Sequence, residues 1–476
     1  MSELRDNAPL LDAYLSYFER PRTPFTIPGH KQKASRLDAG LGSVVDSDTP
    51  LYGGLDEIKL TNQTLKQAEK LAADLWGADY ARFSTGGSTH ANQAIVLALG
   101  SPGDKVAISR TAHRSILSAL VLAGLEPIWM SPQIDVATGV PTGIGVAELQ
   151  RALMENPIAV LLTEPGYLGT ISDLPALIAA AHAQSVPVIL DAAWGGHFGF
   201  HPELPRHAFQ LGADALITSV HKALPGYSAS ALLLAQGKYL NLDRIEQSFE
   251  TTHTTSPAGA PLASIDGVRA LLQTRGTELN TELIKNVEEF KKTVQSEFAL
   301  PIFLYKEDFS AGRFDPTKIV LRVQQLGVSG VDIEKELQAV GIRVEMADRD
   351  TIVFLATLSD ATSDFEALAD ALIPILKRNQ SQRRESATAL SWSVVPTRGI
   401  SMRDAYFAKT EMIAADKAEG RISADLIAPY PPGVAVVAPG EVLTAQILVG
   451  LKASKDAGVR IAYATDSTLA TYRVVQ

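Results

Sequence analysis

From about Leu60 onward, short apolar runs rich in β-branched residues alternate with stretches of helical periodicity. The runs Tyr80–Phe83, Val106–Ile108, Pro127–Met130, Ala159–Thr163, Val188–Asp191, Ala215–Thr218 and Ala231–Leu234 predict strands. Helical stretches such as Pro175–Ala183 lie between them, and a long helical region follows near Ser264–Ser296. That rhythm predicts an α/β fold with a mostly parallel, helix-covered sheet. Residues 1–60 read as irregular, with one helix over Leu10–Glu19. A second pattern runs from Leu300 to Leu376: a strand at Lys318–Val323, a helix over Gly330–Val340, a hairpin of Ile342–Ala347 and Thr351–Ala356, and a helix over Phe365–Leu376. Ser329 is a possible N-cap and Gly341 a stop. This unit predicts a small α+β domain packed on the large one. Lys377–Ser386 reads as a polar, basic connector, a solvated linker rather than a nucleic-acid patch, and Met402–Ala414 as a helix. The expected divisions are 1–60, 61–297, 298–380 and 381–476.

Candidate chemistry sits where these strands end. Ser219-Val220-His221-Lys222 lies between two buried runs. Desolvation at such a place lowers a lysine's pKa and makes its amine nucleophilic, as a Schiff base to pyridoxal phosphate (PLP) requires. The tetrapeptide alone also fits a solvated lysine. Asp191 ends the run Val186–Leu190. Ligands of parallel sheets lie beyond the carboxyl ends of strands, so Asp191 is placed to pair with a protonated pyridine nitrogen. An ordinary N-cap is the competing reading. Ser84-Thr85-Gly86-Gly87-Ser88-Thr89 leads from a strand into a helix. Such a start offers free N–H groups to a phosphate, or is simply a helix-capping turn. His113 follows the strand Lys105–Ile108, where an imidazole stacks on a ring or plays a structural part.

The order of glycine-Ser-Thr loop, histidine, aspartate and lysine, with these local strings, resembles the Orn/Lys/Arg decarboxylase family of aspartate-aminotransferase-like PLP enzymes. Ile27-Pro28-Gly29-His30-Lys31, Gly54-Leu55-Asp56-Glu57-Ile58, Thr163-Glu164-Pro165-Gly166-Tyr167-Leu168-Gly169, His253-Thr254-Thr255-Ser256-Pro257, Pro429-Tyr430-Pro431-Pro432-Gly433 and Pro439-Gly440-Glu441 are similar to further family segments. The likeness spans roughly residues 8 to 450. It implies a PLP-dependent transferase-like large domain with a mostly parallel sheet of the seven-stranded type, plus smaller α+β C-terminal domains. It also implies roles. Lys222 would carry the Schiff base, Asp191 pair with the pyridine nitrogen, and His113 stack on the ring. Ser88, Thr89, Ser219 and His221 would hold the phosphate. His253, Thr254 and Thr255 would lie near the active site of the neighbouring subunit, Thr254 and Thr255 as cofactor contacts. Tyr430 and Glu441 would border the substrate side chain. One departure stands out: many members have Asp-Glu-Ala-His where this chain has Asp191-Ala192-Ala193-Trp194. His197 is not assumed to replace that histidine.

The implied activity is α-decarboxylation of a basic amino acid, arginine or lysine before ornithine, giving CO2 and agmatine or a diamine. A role in polyamine biosynthesis goes with it. The rivals are another PLP reaction, such as transamination or β-elimination, and a PLP-binding regulatory protein without turnover. An aminotransferase clamps the α-carboxylate with an arginine, for which Arg398 is a candidate.

Composition narrows the picture further. Of 476 residues, 46% are hydrophobic, ample for a large core in two or three domains. The absence of cysteine excludes disulfides and thiol catalysis. The nine histidines are scattered along the chain, with only His197 and His201 four apart in a glycine-rich string that is not helical in pattern, and no metal site is expected. A net charge of −10 argues against nucleic acid as a partner. No run approaches the roughly 18 apolar residues of a membrane span, and no secretory signal is read at the start. The expectation is a cytoplasmic homodimer or dimer of dimers, because nothing like the receiver-like domain of larger family members precedes the Pro-Gly-His-Lys string.

Overall fold

The computed structural model describes residues 2–19, 22, 23, 25–49, 63–135, 138, 140–309, 313–384, 397–430, 434–456 and 458–476. The string Gly54–Ile58 and residues 431–433 lie outside them.

The centre is a seven-stranded sheet. Its strands are β1 (Tyr80–Ser84), β2 (Lys105–Ser109), β3 (Glu126–Met130), β4 (Val160–Thr163), β5 (Val188–Asp191), β6 (Ala215–Ser219) and β7 (Ala231–Ala235). They run in the order β1-β7-β6-β5-β4-β2-β3. β7 is antiparallel to both neighbours, with Ser219 opposite Ala231 and Ser84 opposite Ala231. The other pairings are parallel. The carboxyl ends of β1, β5 and β6 therefore meet at one edge.

Successive side chains of a strand point to opposite faces. Leu162, Leu190, Leu216 and Leu234 join one apolar cluster, and their neighbours Leu161, Ile189, Ile217 and Leu233 join another. Both faces are buried, which is why these strands read as unbroken apolar runs. The covering helices include α1 (Pro9–Glu19), α2 (Thr64–Trp76), α3 (Gly87–Leu99), α4 (Arg114–Ala123), α5 (Leu174–His182), α6 (Leu242–Thr252) and α7 (Gly259–Gln295). Asp266 of α7 accepts the backbone N–H of Leu10 at 2.8 Å, which docks α1.

The second pattern forms a small sheet of β8 (Ile319–Leu321), β9 (Met346–Ala347) and β10 (Ile352–Phe354), in the order β8-β10-β9. Helices α8 (Gly330–Ala339) and α9 (Thr362–Asn379) belong to it. Leu283, Phe290, Ile319, Ile352, Phe365 and Leu372 share its core. Ser329 is the N-cap residue of α8 but gives no side-chain cap, and Gly341 follows the helix at a φ of 87°.

Two expectations change. Lys377-Arg378-Asn379 are the last turn of α9, not linker, and Arg378 and Asn379 bond Glu336 while Lys377 bonds Glu297. Basic residues at a helix C-terminus also meet the negative end of its dipole. The expected helix over Met402–Ala414 divides. α10 spans only Met402–Phe407, and Thr410–Ala414 forms β11, antiparallel to Thr471–Val475. A strand partner some sixty residues away overrides the local pattern.

Candidate active site

Asp191 ends β5 and is 4% exposed. Its Oδ1 accepts the N–H of Ala193 at 3.1 Å, and its Oδ2 accepts Asn92 Nδ2 at 2.8 Å. Asn92 sits on α3, one turn after Ser88, so both face the strand ends. Asn92 Nδ2 also donates to Ser115 Oγ at 3.0 Å, and Ser115 Oγ lies 2.9 Å from His113 Nδ1. The Ser115 N–H donates to His113 Nδ1, so that nitrogen is an acceptor and the Ser115 hydroxyl donates to it as well. This chain of bonds couples the buried carboxylate to the imidazole. His113 caps α4, with its side chain at the surface of the single chain. The surrounding protein lowers the imidazole pKa by desolvation, while Asp191 pulls it back up.

The start of α3 lies beside the end of β6. Ser88 Oγ is 2.8 Å from Ser219 Oγ, and both side chains are buried. Gly86, the N-cap, brings no side-chain acceptor, so the first-turn N–H groups of Ser88 and Thr89 point to an outside partner. Gly87 takes a φ of +68°, a left-handed conformation suited to glycine. Thr89 is exposed.

Lys222 lies in the loop from β6 to β7, half-buried, with Nζ 4.3 Å from the ring centroid of Trp194. Burial lowers its pKa, opposed by Asp191 and Glu345. A lowered pKa is what a carbonyl-attacking lysine needs. His221 Nδ1 donates to the carbonyl of Ser230 at 2.9 Å, which leaves its Nε2 for a ligand. His253 stacks on Phe249 and lies 3.3 Å from Thr85 Oγ1 of its own chain, while Thr254 and Thr255 are exposed. Lys222, Asp191, His113, Ser88 and Ser219 thus converge on the carboxyl edge of the sheet.

The comparisons with known proteins decide the family. Residues 8–307 match Orn/Lys/Arg decarboxylase, major domain, and residues 389–460 match Orn/Lys/Arg decarboxylase, C-terminal domain. The chain belongs to the Orn/Lys/Arg decarboxylase family. It is 34% identical to an arginine decarboxylase of Bacillus subtilis, over 98% of both chains. It is 32% identical to one of Bacillus anthracis, over 98% of this chain and 97% of that one. The crystal structure of Francisella novicida lysine decarboxylase LdcF superposes with a TM-score of 0.83 at 18% identity, over 98% of this chain and 81% of that one. At that identity the likeness shows the fold. The chain is a decarboxylase of a basic amino acid, the class expected of the family.

Within this family fold, two expected residues are placed elsewhere. Glu441 does not border an open pocket. It is 3% exposed and forms a forked pair with Arg110, Oε1 to Nη1 at 2.7 Å and Oε2 to Nη2 at 2.9 Å. Its Oε2 also accepts the N–H of Ala438. A carboxylate so engaged is a structural clasp between the C-terminal segment and the end of β2, not a free partner for a substrate cation. Arg398 is not at the strand ends that carry Asp191. It pairs with Glu126, at the amino end of β3. The Tyr430 side chain lies outside the described residues. His197 is buried against Asp315 and Thr317 at 3.3 and 3.1 Å, tied to the small domain.

Sequence reasoning passed over Asn92, Ser115 and Lys318. An Asn and a Ser inside strongly apolar helical runs were the available signal for the first two. Lys318 read as an ordinary strand residue. Its Nζ lies 4.1 Å from the Trp194 ring centroid, the same ring that Lys222 faces.

Proposed function

We propose that this protein decarboxylates arginine to agmatine, with pyridoxal phosphate held by Lys222 and Asp191. The observation that carries the substrate is near-full-length likeness, at 30–34% identity, to arginine decarboxylases; lysine decarboxylases match at 22%. The residues present fit the cofactor. Asp191 offers a buried anion for a pyridinium, the uncapped start of α3 with Ser88 and Ser219 offers a phosphate site, and Lys222 offers an amine with a lowered pKa. When bound, the cofactor supplies an electron sink for the bond between Cα and the carboxylate. Asn92 fixes the Asp191 carboxylate. Ser115 fixes the His113 ring, so that its flat face is available for stacking. His221, held through Nδ1, presents Nε2 to the same edge.

A second copy of the chain fits as the partner. Phe25, Leu37 and Val44 in the N-terminal segment are 95%, 85% and 71% exposed, apolar side chains that a homodimer would cover. Among the described residues no helix is long and apolar enough to cross a membrane, and we place the enzyme in the cytoplasm.

The test is incubation of the purified protein with PLP and, in separate reactions, arginine, lysine and ornithine, reading CO2 and the amine by mass. Agmatine from arginine, well ahead of the other two amines, is expected. Cadaverine or putrescine as the main product would overturn the substrate assignment, and no CO2 from any would overturn the decarboxylase reading.

A further inference from the structure

Lys318 directly precedes β8, and its side chain is 4% exposed. Its ammonium and that of Lys222 lie 4.1 and 4.3 Å from the centroid of one indole, Trp194. The two nitrogens are therefore no farther apart than the sum of those distances. The site is built around the lysine stem. A Cβ on Gly169 would stand 2.6 Å from Lys318 Cγ, so the loop after Tyr167 closes on the chain only because that position is glycine. The indole itself is held edge-on by Tyr167, with ring centroids 5.3 Å apart.

What this buried cation lacks is an anion bonded to it. Asp315, the nearest candidate in sequence, is turned to His197, the Thr317 N–H and the Thr317 hydroxyl. Glu345 accepts from the Tyr167 hydroxyl at 3.1 Å. Among the described residues the Lys318 ammonium has no hydrogen-bond partner, only the aromatic faces. Asp315 and Glu345 act on this cation through space without bonding it, and an anionic ligand would complete it. Burial lowers its pKa to about 8, which leaves it mostly charged near neutral pH.

We propose that Lys318 receives the α-carboxylate of the amino-acid substrate, on the Trp194 side of Lys222. The inference rests on the decarboxylase reading and adds a substrate-binding residue to it. A basic amino acid has one anionic group, next to the carbon that reacts, and one cationic group at the far end. Lysine repels the far end, so the carboxylate is the group that faces it. The choice of lysine over arginine suits the chemistry. A guanidinium fork fixes a carboxylate at two points, whereas an ammonium is a point charge that attracts it without fixing its plane. The carboxylate stays free to turn for departure.

Three ligands separate this role from general packing: arginine, agmatine, which lacks the carboxylate, and arginine methyl ester, which lacks its charge. In the unaltered enzyme with PLP, the ester should inhibit at least about tenfold more weakly than arginine binds. Equal binding of ester and arginine overturns the proposal without any substitution. Lys318→Met should raise the KM for arginine about tenfold or more and leave the inhibition constant of agmatine within about twofold. Lys318→Arg should recover the KM but lower kcat. Unchanged arginine KM in Lys318→Met, or an equal loss for arginine and agmatine, overturns it. Absence of CO2 release by the unaltered enzyme would instead sink the decarboxylase reading on which it stands.

Discussion

Asn92 Nδ2 lies 2.8 Å from Asp191 Oδ2, where a side chain of α3 reaches the end of β5. Both side chains are buried, so the bond is made in a setting of low dielectric where a missing donor is costly. Asn92→Leu removes the donor to both Asp191 and Ser115. A hydrogen bond to a charged group is worth about 1.5–3 kcal/mol, so PLP should dissociate about 10- to 100-fold more readily. Asn92→Asp sets a second carboxylate against Asp191 and should lose more. Spectroscopic titration with PLP, with thermal unfolding as a fold control, measures both. Retained wild-type affinity in both variants would detach this bond from the cofactor site.

Lys222→Ala removes the amine on which the proposed chemistry depends. Turnover should vanish and the absorbance of the bound cofactor should change to that of free aldehyde, while unfolding stays near the wild-type temperature. Asp191→Ala should bind PLP weakly and lose at least about 100-fold in rate, the scale of losing a preorganised electrostatic partner. Full activity in either variant would remove that residue from the reaction.

The residues that sequence patterns reveal are those set by short strings. Lys222, Asp191, Ser88, Ser219 and His113 each sit at the end of an apolar run, and in a parallel sheet those ends meet at one edge. The strands themselves were legible because both faces of the sheet are buried. What was hidden depends on distant partners. Glu441 looked free because its partner, Arg110, lies 331 positions earlier. Lys318 looked like one more strand residue until β8 and Trp194 were brought together. Thr410–Ala414 followed a helical pattern locally, and its pairing with Thr471–Val475 set its conformation.

The Arg110–Glu441 clasp gives a prediction about stability rather than substrate binding. Removing one partner leaves a buried charge alone, a loss of about 3–5 kcal/mol. Glu441→Leu should therefore lower the unfolding temperature sharply. The double variant Arg110→Met with Glu441→Leu should recover much of it, since an apolar pair of similar volume carries no desolvation cost. The KM of the folded double variant should stay close to wild type. A large rise in KM with unfolding unchanged would instead return Glu441 to the substrate pocket.

Glu164, just after β4, gives the protein a pH-dependent weakness. It is buried, and burial pushes its pKa up to about 7, against hydrogen bonds from the Ser172 hydroxyl and N–H. In the unfolded chain the same carboxyl has a pKa near 4.5. The folded state therefore holds the proton more tightly. Its favourable contribution is complete below the unfolded pKa and is lost as pH rises from there through about 7. Glu164→Gln keeps the shape, accepting from the Ser172 N–H and donating to its hydroxyl, and never ionises. It should stabilise the protein by about 2–3 kcal/mol at pH 8 and by less than about 1 kcal/mol at pH 5. Unfolding temperatures at the two pH values measure the difference. An equal shift at both would mean that Glu164 does not change its ionisation on folding.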